Sequence, residues 1–272
     1  MTNNYTITFA TYNQLDYTKK FIASLDRQEV DFSRIVAVDN GSTDGTREWL
    51  AQQGFGAVIL NNRNLGCGAA WNQGAMAIQS EWTIVMNNDV VCAKGWLHGL
   101  LNAAHRHPLD IVSPALIEGD LDYDFSSFSS ESRQQMDGYC RKNTAHAVCL
   151  MIQQGVWEKI GYFMPIPRLL GYEDTIFFQR AKEQKLAIGI TSESWLHHFG
   201  SITQKAIQLE TQIQGGLGDR HLMRQYMRQS WLNRKVSTVL KKRLIKNARA
   251  LEIGRYGKTV HMLRRGGAFE AM

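Results

Sequence analysis

A chain of 272 residues with 44% hydrophobic and 21% charged side chains can bury a sizeable core and has an ordinary globular composition, which excludes wholesale disorder. No apolar run reaches the ~18 residues of a membrane-spanning helix, and the polar start MTNNYTITFA lacks the basic and apolar regions of a secretory signal, so a cytoplasmic protein is expected. Cys67, Cys92, Cys140 and Cys149 form no CxxC pair and read as reduced thiols, while the net charge of +6 leaves nucleic acid, an anionic membrane surface or an anionic substrate open as partners.

Four short apolar runs recur in the N-terminal third: Thr6 to Ala10, Ile35 to Val38, Ala57 to Leu60 and Trp82 to Met86. Their length and β-branched content predict buried strands. Segments of helical period lie between them, as with Tyr17, Phe21, Ile22 and Leu25. The alternation predicts βαβ units and a mainly parallel sheet flanked by helices. Each strand is followed by polar residues: Thr11, Tyr12 and Asn13; Asp39, Asn40 and Gly41; Asn61 and Asn62; Asn87, Asn88 and Asp89. In a parallel sheet these ends share one edge, where ligands bind.

NGSTDGTREWL predicts a tight turn in which Ser42, Thr43 or Asp44 caps a helix running through Trp49 and Leu50. Small residues from Asn64 to Ala75 allow a helix to pack closely on a sheet or a backbone to approach a ligand. The serine-rich stretch from Gly119 to Arg141 reads as a mobile surface loop at one end of the crevice. Beyond it, AHAVCLMIQQGVWEKIGYF predicts a buried run and a helix, and Glu173 and Asp174 fall at a helix start, where the dipole favours acids.

TYN at 11–13, VDNGSTDGT at 38–46, NNRNLGCGAAWNQG at 61–74, MNNDV at 86–90, GYEDTIFFQRAK at 171–182 and HHFGSIT at 197–203 together resemble the family 2 glycosyltransferases of GT-A fold, in the bacterial branch that includes rhamnosyltransferases. The resemblance covers residues 5–203 in order. It implies a GT-A, Rossmann-like nucleotide-diphospho-sugar transferase domain over residues 1–204. Its nucleotide-binding positions would be Thr11, Tyr12, Asn13, Asp39, Asn64, Gly66, Asn72 and Asn88, although an Asp before Asn-Gly also suits a plain turn. The family's metal motif, D-x-D, reads Asn87-Asn88-Asp89 here, so only Asp89 remains as a carboxylate for Mn²⁺ or Mg²⁺. A histidine near the metal would be His198, with His197 the neighbouring alternative and an acceptor-side candidate. The family's E-D pair maps to Glu173 and Asp174. A sugar hydroxyl needs a base to accept its proton, and Asp174 is taken as that base with Glu173 beside it, the reverse assignment staying open. Among the tryptophans, Trp195 is the candidate to touch sugar.

From Arg220 onward the chain is crowded with Arg and Lys against only Glu252 and Glu270. Residues 205–265 show helical spacing, so 205–272 is expected to be a basic helical extension. It would dock on an anionic membrane surface or a partner, or pack on its own domain. Nucleic-acid binding has no support beyond charge. The expected function is an inverting transfer of sugar from a UDP- or dTDP-linked donor to a saccharide or lipid-linked glycan acceptor. A nucleotidylyltransferase would show a glycine-rich phosphate loop where TYNQLD stands; a catalytically silent nucleotide-sugar-binding subunit is the other alternative.

Overall fold

The computed structural model describes residues 4–28, 30–166, 171–200, 202, 218–227 and 231–272. The N-terminal apolar runs form β1 (Tyr5–Thr11), β2 (Ile35–Asp39), β3 (Ala57–Leu60) and β4 (Trp82–Asn87), alternating with α1 (Leu15–Asp26), α2 (Thr46–Leu50) and α3 (Cys67–Ala77). β1 pairs in parallel with β2 and β4, and β2 with β3. β2 is buried at every position, as a strand covered on both faces must be. Close packing of α3 depends on its small residues: a Cβ on Gly74 would lie 1.7 Å from Thr8 Oγ1.

The chain continues through β5 (Val90–Cys92), α4 (Trp96–Arg106), β6 (Ile111–Gly119), α5 (Phe125–Gln135), β7 (Cys140–Lys142), β8 (Cys149–Gln153) and α6 (Gln154–Ile160). α7 (Glu173–Glu183), β9 (Ile188–His198), α8 (Arg220–Tyr226), α9 (Trp231–Tyr256), β10 (His261–Arg265) and β11 (Ala268–Ala271) follow. The sheet order is β11-β10-β6-β8-β4-β1-β2-β3, with β9 joined to β5, β6 and β7. This is the expected α/β class, a mixed sheet whose β3-β2-β1-β4 half is wholly parallel. Phe21, Leu25, Trp96 and Leu100 cover one face against Phe9, Ile35 and Ile84. Trp71, Trp157, Phe163 and Phe177 cover the other against Val85 and Leu150.

Two segments depart from expectation. The serine-rich stretch contains α5 in place of a bare loop. Asp124 caps it, accepting from Ser127 N at 3.1 Å, and Phe125, Ser129 and Ser132 form a buried stripe at i, i+4 and i+7. This packing outweighs the modest helix propensity of serine. The C-terminal region is helical at α8 and α9, with 203–217 and 228–230 outside the described residues. Beyond α9 it rejoins the sheet: β10 pairs in parallel with β6, and Val260 and Met262 enter a core cluster with Trp195 and Phe125. Gly266 and Gly267, at φ 53° and 79°, supply the hairpin turn between β10 and β11. Leu240, Leu244 and Leu251 of α9 stay exposed. Among the described residues no helix is long and apolar enough to cross a membrane.

Candidate active site

The carboxyl ends of β1, β2 and β4 deliver Thr11, Tyr12, Asn40, Asn88 and Asp89 to a cleft of about 1770 Å³, walled also by Asn64, Glu118, Glu173, Asp174 and His198. A site for one small ligand takes ~300–1,000 Å³, so this cleft has room for two substrates.

The turn after β4 explains the polar run that interrupts the apolar pattern. Asn88 points inward and its amide donates to Thr11 Oγ1 at 3.1 Å and Thr18 Oγ1 at 2.9 Å. The pinned turn holds the Asp89 side chain in the cleft wall. Asp89 Oδ2 accepts from Ile202 N at 3.2 Å, and Oδ1 lies 3.2 Å from His198 Nε2. Across the imidazole, Glu118 Oε2 lies 3.8 Å from Nδ1. Burial alone would lower the pKa of His198; the two carboxylates outweigh it and raise it to about 9. Burial likewise pushes Asp89 up, but the neighbouring charge of His198 and the N–H of Ile202 hold it below the ordinary carboxylate range.

Despite these distances, neither ring nitrogen of His198 makes an aligned hydrogen bond. A buried imidazole nitrogen without such a partner, beside a buried carboxylate, fits a divalent ion that would take further oxygens from a ligand and water. Among the described residues no group of three or more His, Cys, Asp or Glu gathers into a complete protein cage.

Glu173 and Asp174 open α7 and line the same cleft. Asp174 is half-buried and its Oδ1 accepts from Thr175 N at 2.6 Å. Glu173 is 3% exposed, its Oε1 has no hydrogen-bond partner, and its methylenes pack on Gly68 of α3. Burial, then the charge of Asp174, lifts its carboxyl from 4.5 to about 7. A raised acid favours folding below its unfolded pKa, and that contribution is lost as pH rises through about 7. It amounts to roughly 3 kcal/mol. Glu173→Gln should therefore melt higher than the unaltered protein at pH ~8.5 and close to it at pH ~5. A pH-independent difference in melting temperature would show that the carboxyl titrates normally.

Several expected residues stand elsewhere. Asp39 is fully buried behind the cleft surface, accepting from Gly41 N at 3.0 Å and Ser42 N at 3.1 Å with Arg47 Nε at 3.5 Å; its carboxylate builds the turn. Asn13 braces the same turn, its Oδ1 accepting from Thr43 N at 2.8 Å. Gly66 precedes α3 and its carbonyl accepts from the Asn40 amide at 3.2 Å. Asn72 uses both amide atoms on Phe163, at 2.8 and 3.0 Å. Trp195 is core, with Nε1 donating to Ser192 O at 2.8 Å, so it does not face sugar. His197 is also fully buried, its Nδ1 3.0 Å from Tyr123 OH and its Nε2 3.2 Å from Gly119 O. Strand alternation is the reason: side chains at 195 and 197 of β9 face the aromatic cluster while 198 enters the cleft. Glu118 was missed, although it follows the same rule of a polar residue closing an apolar strand, and Asn40, read only as part of a strand end, lines the cleft.

The sequence model of Glycosyl transferase family 2 matches residues 6–171. The chain belongs to this family. The N-acetylglucosaminyl-diphospho-decaprenol L-rhamnosyltransferase of Mycobacterium tuberculosis is 33% identical over 120 residues, which is 40% of this chain and only 39% of that protein. Glycosyltransferase AglE of Haloferax volcanii is 24% identical over 78% of this chain and 74% of its own length. The fold is shared with TarS 1-349 of S. aureus in complex with UDP-GlcNAc, at TM-score 0.54, 18% identity, and coverage of 72% of this chain and 60% of that one. GalNAc-T7 with UDP, GalNAc and Mn²⁺ superposes at TM-score 0.56, 14% identical, covering 72% of this chain and 44% of that one. These likenesses establish a GT-A architecture.

Proposed function

We propose that the protein is an inverting glycosyltransferase that moves a sugar from a UDP- or dTDP-linked donor to a hydroxyl of a saccharide or lipid-linked glycan during surface-glycan synthesis. The observation that carries this reading is a cleft at the carboxyl ends of parallel strands that is lined by both Asp89 and Asp174. The activities named for the mycobacterial and archaeal relatives support it. Thr11, Tyr12 and Asn64 face the nucleotide, with Asn88 pinning the turn beside them. The acceptor oxygen attacks the anomeric carbon opposite the diphosphate, Asp174 takes the hydroxyl proton as the bond forms, and the sugar–phosphate bond breaks with inversion. Asp174 suits the base better than Glu173, whose carboxyl holds its proton up to about pH 7. Asp89 and His198 would hold Mn²⁺ or Mg²⁺, which when bound supplies positive charge to the leaving diphosphate.

Leu240, Lys242 and Leu244 of α9 line the cleft while the two leucines stay largely exposed, and with Leu251, Arg243 and Lys246 they support docking on an anionic membrane that carries the acceptor. Flotation with phosphatidylglycerol vesicles should be lost on Leu240→Glu/Leu244→Glu; flotation equal to that of the unaltered chain would reject docking.

Calorimetric titration with UDP, dTDP and GDP, each with and without Mn²⁺, tests the donor site. One nucleotide should bind in a metal-dependent way, and Asp89→Ala should lose that dependence. Absence of any nucleotide binding would favour a catalytically silent subunit.

A further inference from the structure

His198 lies between two carboxylates, and the second is itself held by a residue from the far end of the chain. Glu118 closes β6 and lines the cleft. Its Oε1 is 2.8 Å from His261 Nε2, and its Oε2 is 3.8 Å from His198 Nδ1. The sheet sets this spacing: β9 flanks β6 with Glu118 opposite His198, and β10 flanks it with His261 opposite Leu116. One carboxylate therefore spans two strands, hydrogen-bonded to His261 through Oε1 and set as a charged neighbour of His198, without an aligned hydrogen bond, through Oε2. His261 follows the family-matched residues 6–171 by 90 positions, yet its side chain is only 21% exposed and directed at this group.

We propose that Glu118 is a positioning residue for His198, and that His261, brought in by the C-terminal strand β10, holds Glu118 in place. The inference rests on the reading of Asp89 and His198 as holders of a divalent ion. A histidine that binds a metal through one nitrogen is oriented by what its other N–H meets, and a carboxylate there fixes the ring and strengthens the ligand. With Nδ1 on the Glu118 side, Nε2 faces Asp89 3.2 Å away, and a bound ion would take the place of the Nε2 proton. Without Glu118 the ring keeps its place on β9 but loses the group that selects Nε2 for the cleft. Without His261, Glu118 keeps its charge and loses its clamp. The C-terminal strand pair is in this account a part of the site, and β10 does more than extend the sheet.

The test is Mn²⁺ affinity, read on the full chain with UDP present from the free-ion signal in electron paramagnetic resonance, for Glu118→Ala, Glu118→Gln, His261→Ala, His198→Ala and the Glu118→Ala/His198→Ala pair. Removing a carboxylate behind a ligating histidine weakens metal binding about 10–100-fold, which is the loss expected for Glu118→Ala. His261→Ala should lose less. Glu118→Gln, which keeps an oxygen able to accept from Nδ1–H, should recover most of the affinity. In the His198→Ala background Glu118→Ala should cost nothing more, because its effect passes through that ring. Equal affinity in Glu118→Ala and the unaltered chain overturns the proposal. So does an additive loss in the double variant, which would make Glu118 an independent contributor. Failure of the unaltered chain to bind Mn²⁺ also overturns it, whereas sugar transfer persisting in chelator would leave the proposed reaction standing.

Discussion

Asp174→Asn should lower kcat by about 10²–10⁴, equivalent to roughly 3–5 kcal/mol of lost transition-state stabilisation, while nucleotide affinity stays unchanged. The separation of the two effects follows from placement. Asp174 opens α7 and lines the cleft from a helix separate from the strand ends proposed to face the nucleotide, so its removal leaves those strand ends intact. Its Oδ1 is oriented by Thr175 N at 2.6 Å, a local contact that an amide oxygen can reproduce, so Asn keeps the shape and loses the base. Glu173→Gln provides the contrast. Glu173 is buried against Gly68 and holds its proton up to about pH 7, so that variant should retain most of its turnover. The measurement is transfer of labelled sugar under saturating donor, with calorimetric nucleotide binding on the same preparations. Turnover that survives Asp174→Asn and collapses in Glu173→Gln would reverse the roles of the pair.

What could be read from the chain alone follows from how parallel strands are made. Strands of a parallel sheet are short apolar or β-branched runs, so β1 to β4 were visible, and the polar residues at their ends had to share an edge. That argument reached Thr11, Asn88 and Asp89, all of which line the cleft. It failed where function turns on the direction of a side chain. Asp39 obeys the same rule, yet the N–H groups of Gly41 and Ser42 curl back to its carboxylate, a geometry no spacing discloses. Alternation says that His197 and His198 face opposite sides, but which side holds the cleft depends on strand partners 80 positions earlier. The pairing of Glu118 with His261 spans 143 positions and two non-consecutive strands. Helical spacing in α9 hid the Gly-Gly hairpin that follows it, because the basic residues continue through both.

Glu252→Ala should destabilise the fold by about 3–5 kcal/mol, the cost of leaving a buried charge unpaired. Glu252, near the end of α9, is fully buried and receives Arg141 Nε at 2.7 Å and Tyr139 OH at 2.7 Å, while Val260 N donates to its other oxygen at 3.2 Å. Arg141, on β7, is 5% exposed and also reaches Thr259 Oγ1 at 3.0 Å. Burial alone would raise the Glu252 carboxyl, but these hydrogen bonds hold it below its ordinary value, so the pair is ionised at neutral pH. Removing Glu252 strands the guanidinium in the interior and breaks four hydrogen bonds at once. At about 2–4 °C per kcal/mol for a domain of this size, the melting temperature should fall by roughly 10 °C. Arg141→Met/Glu252→Met, which removes both charges and keeps the volume, should recover most of the loss. Hydrogen exchange adds the local reading: the clasp sits where α9 hands over to β10, so residues 257–272 should exchange first in Glu252→Ala. Because β10 carries His261, loosening this strand should also weaken Mn²⁺ binding at a site that Glu252 does not touch. Unchanged melting and exchange in Glu252→Ala would mean that hydrophobic packing of Val260 and Met262 alone secures the strand, and would remove the clasp from the account of how the C-terminus reaches the cleft.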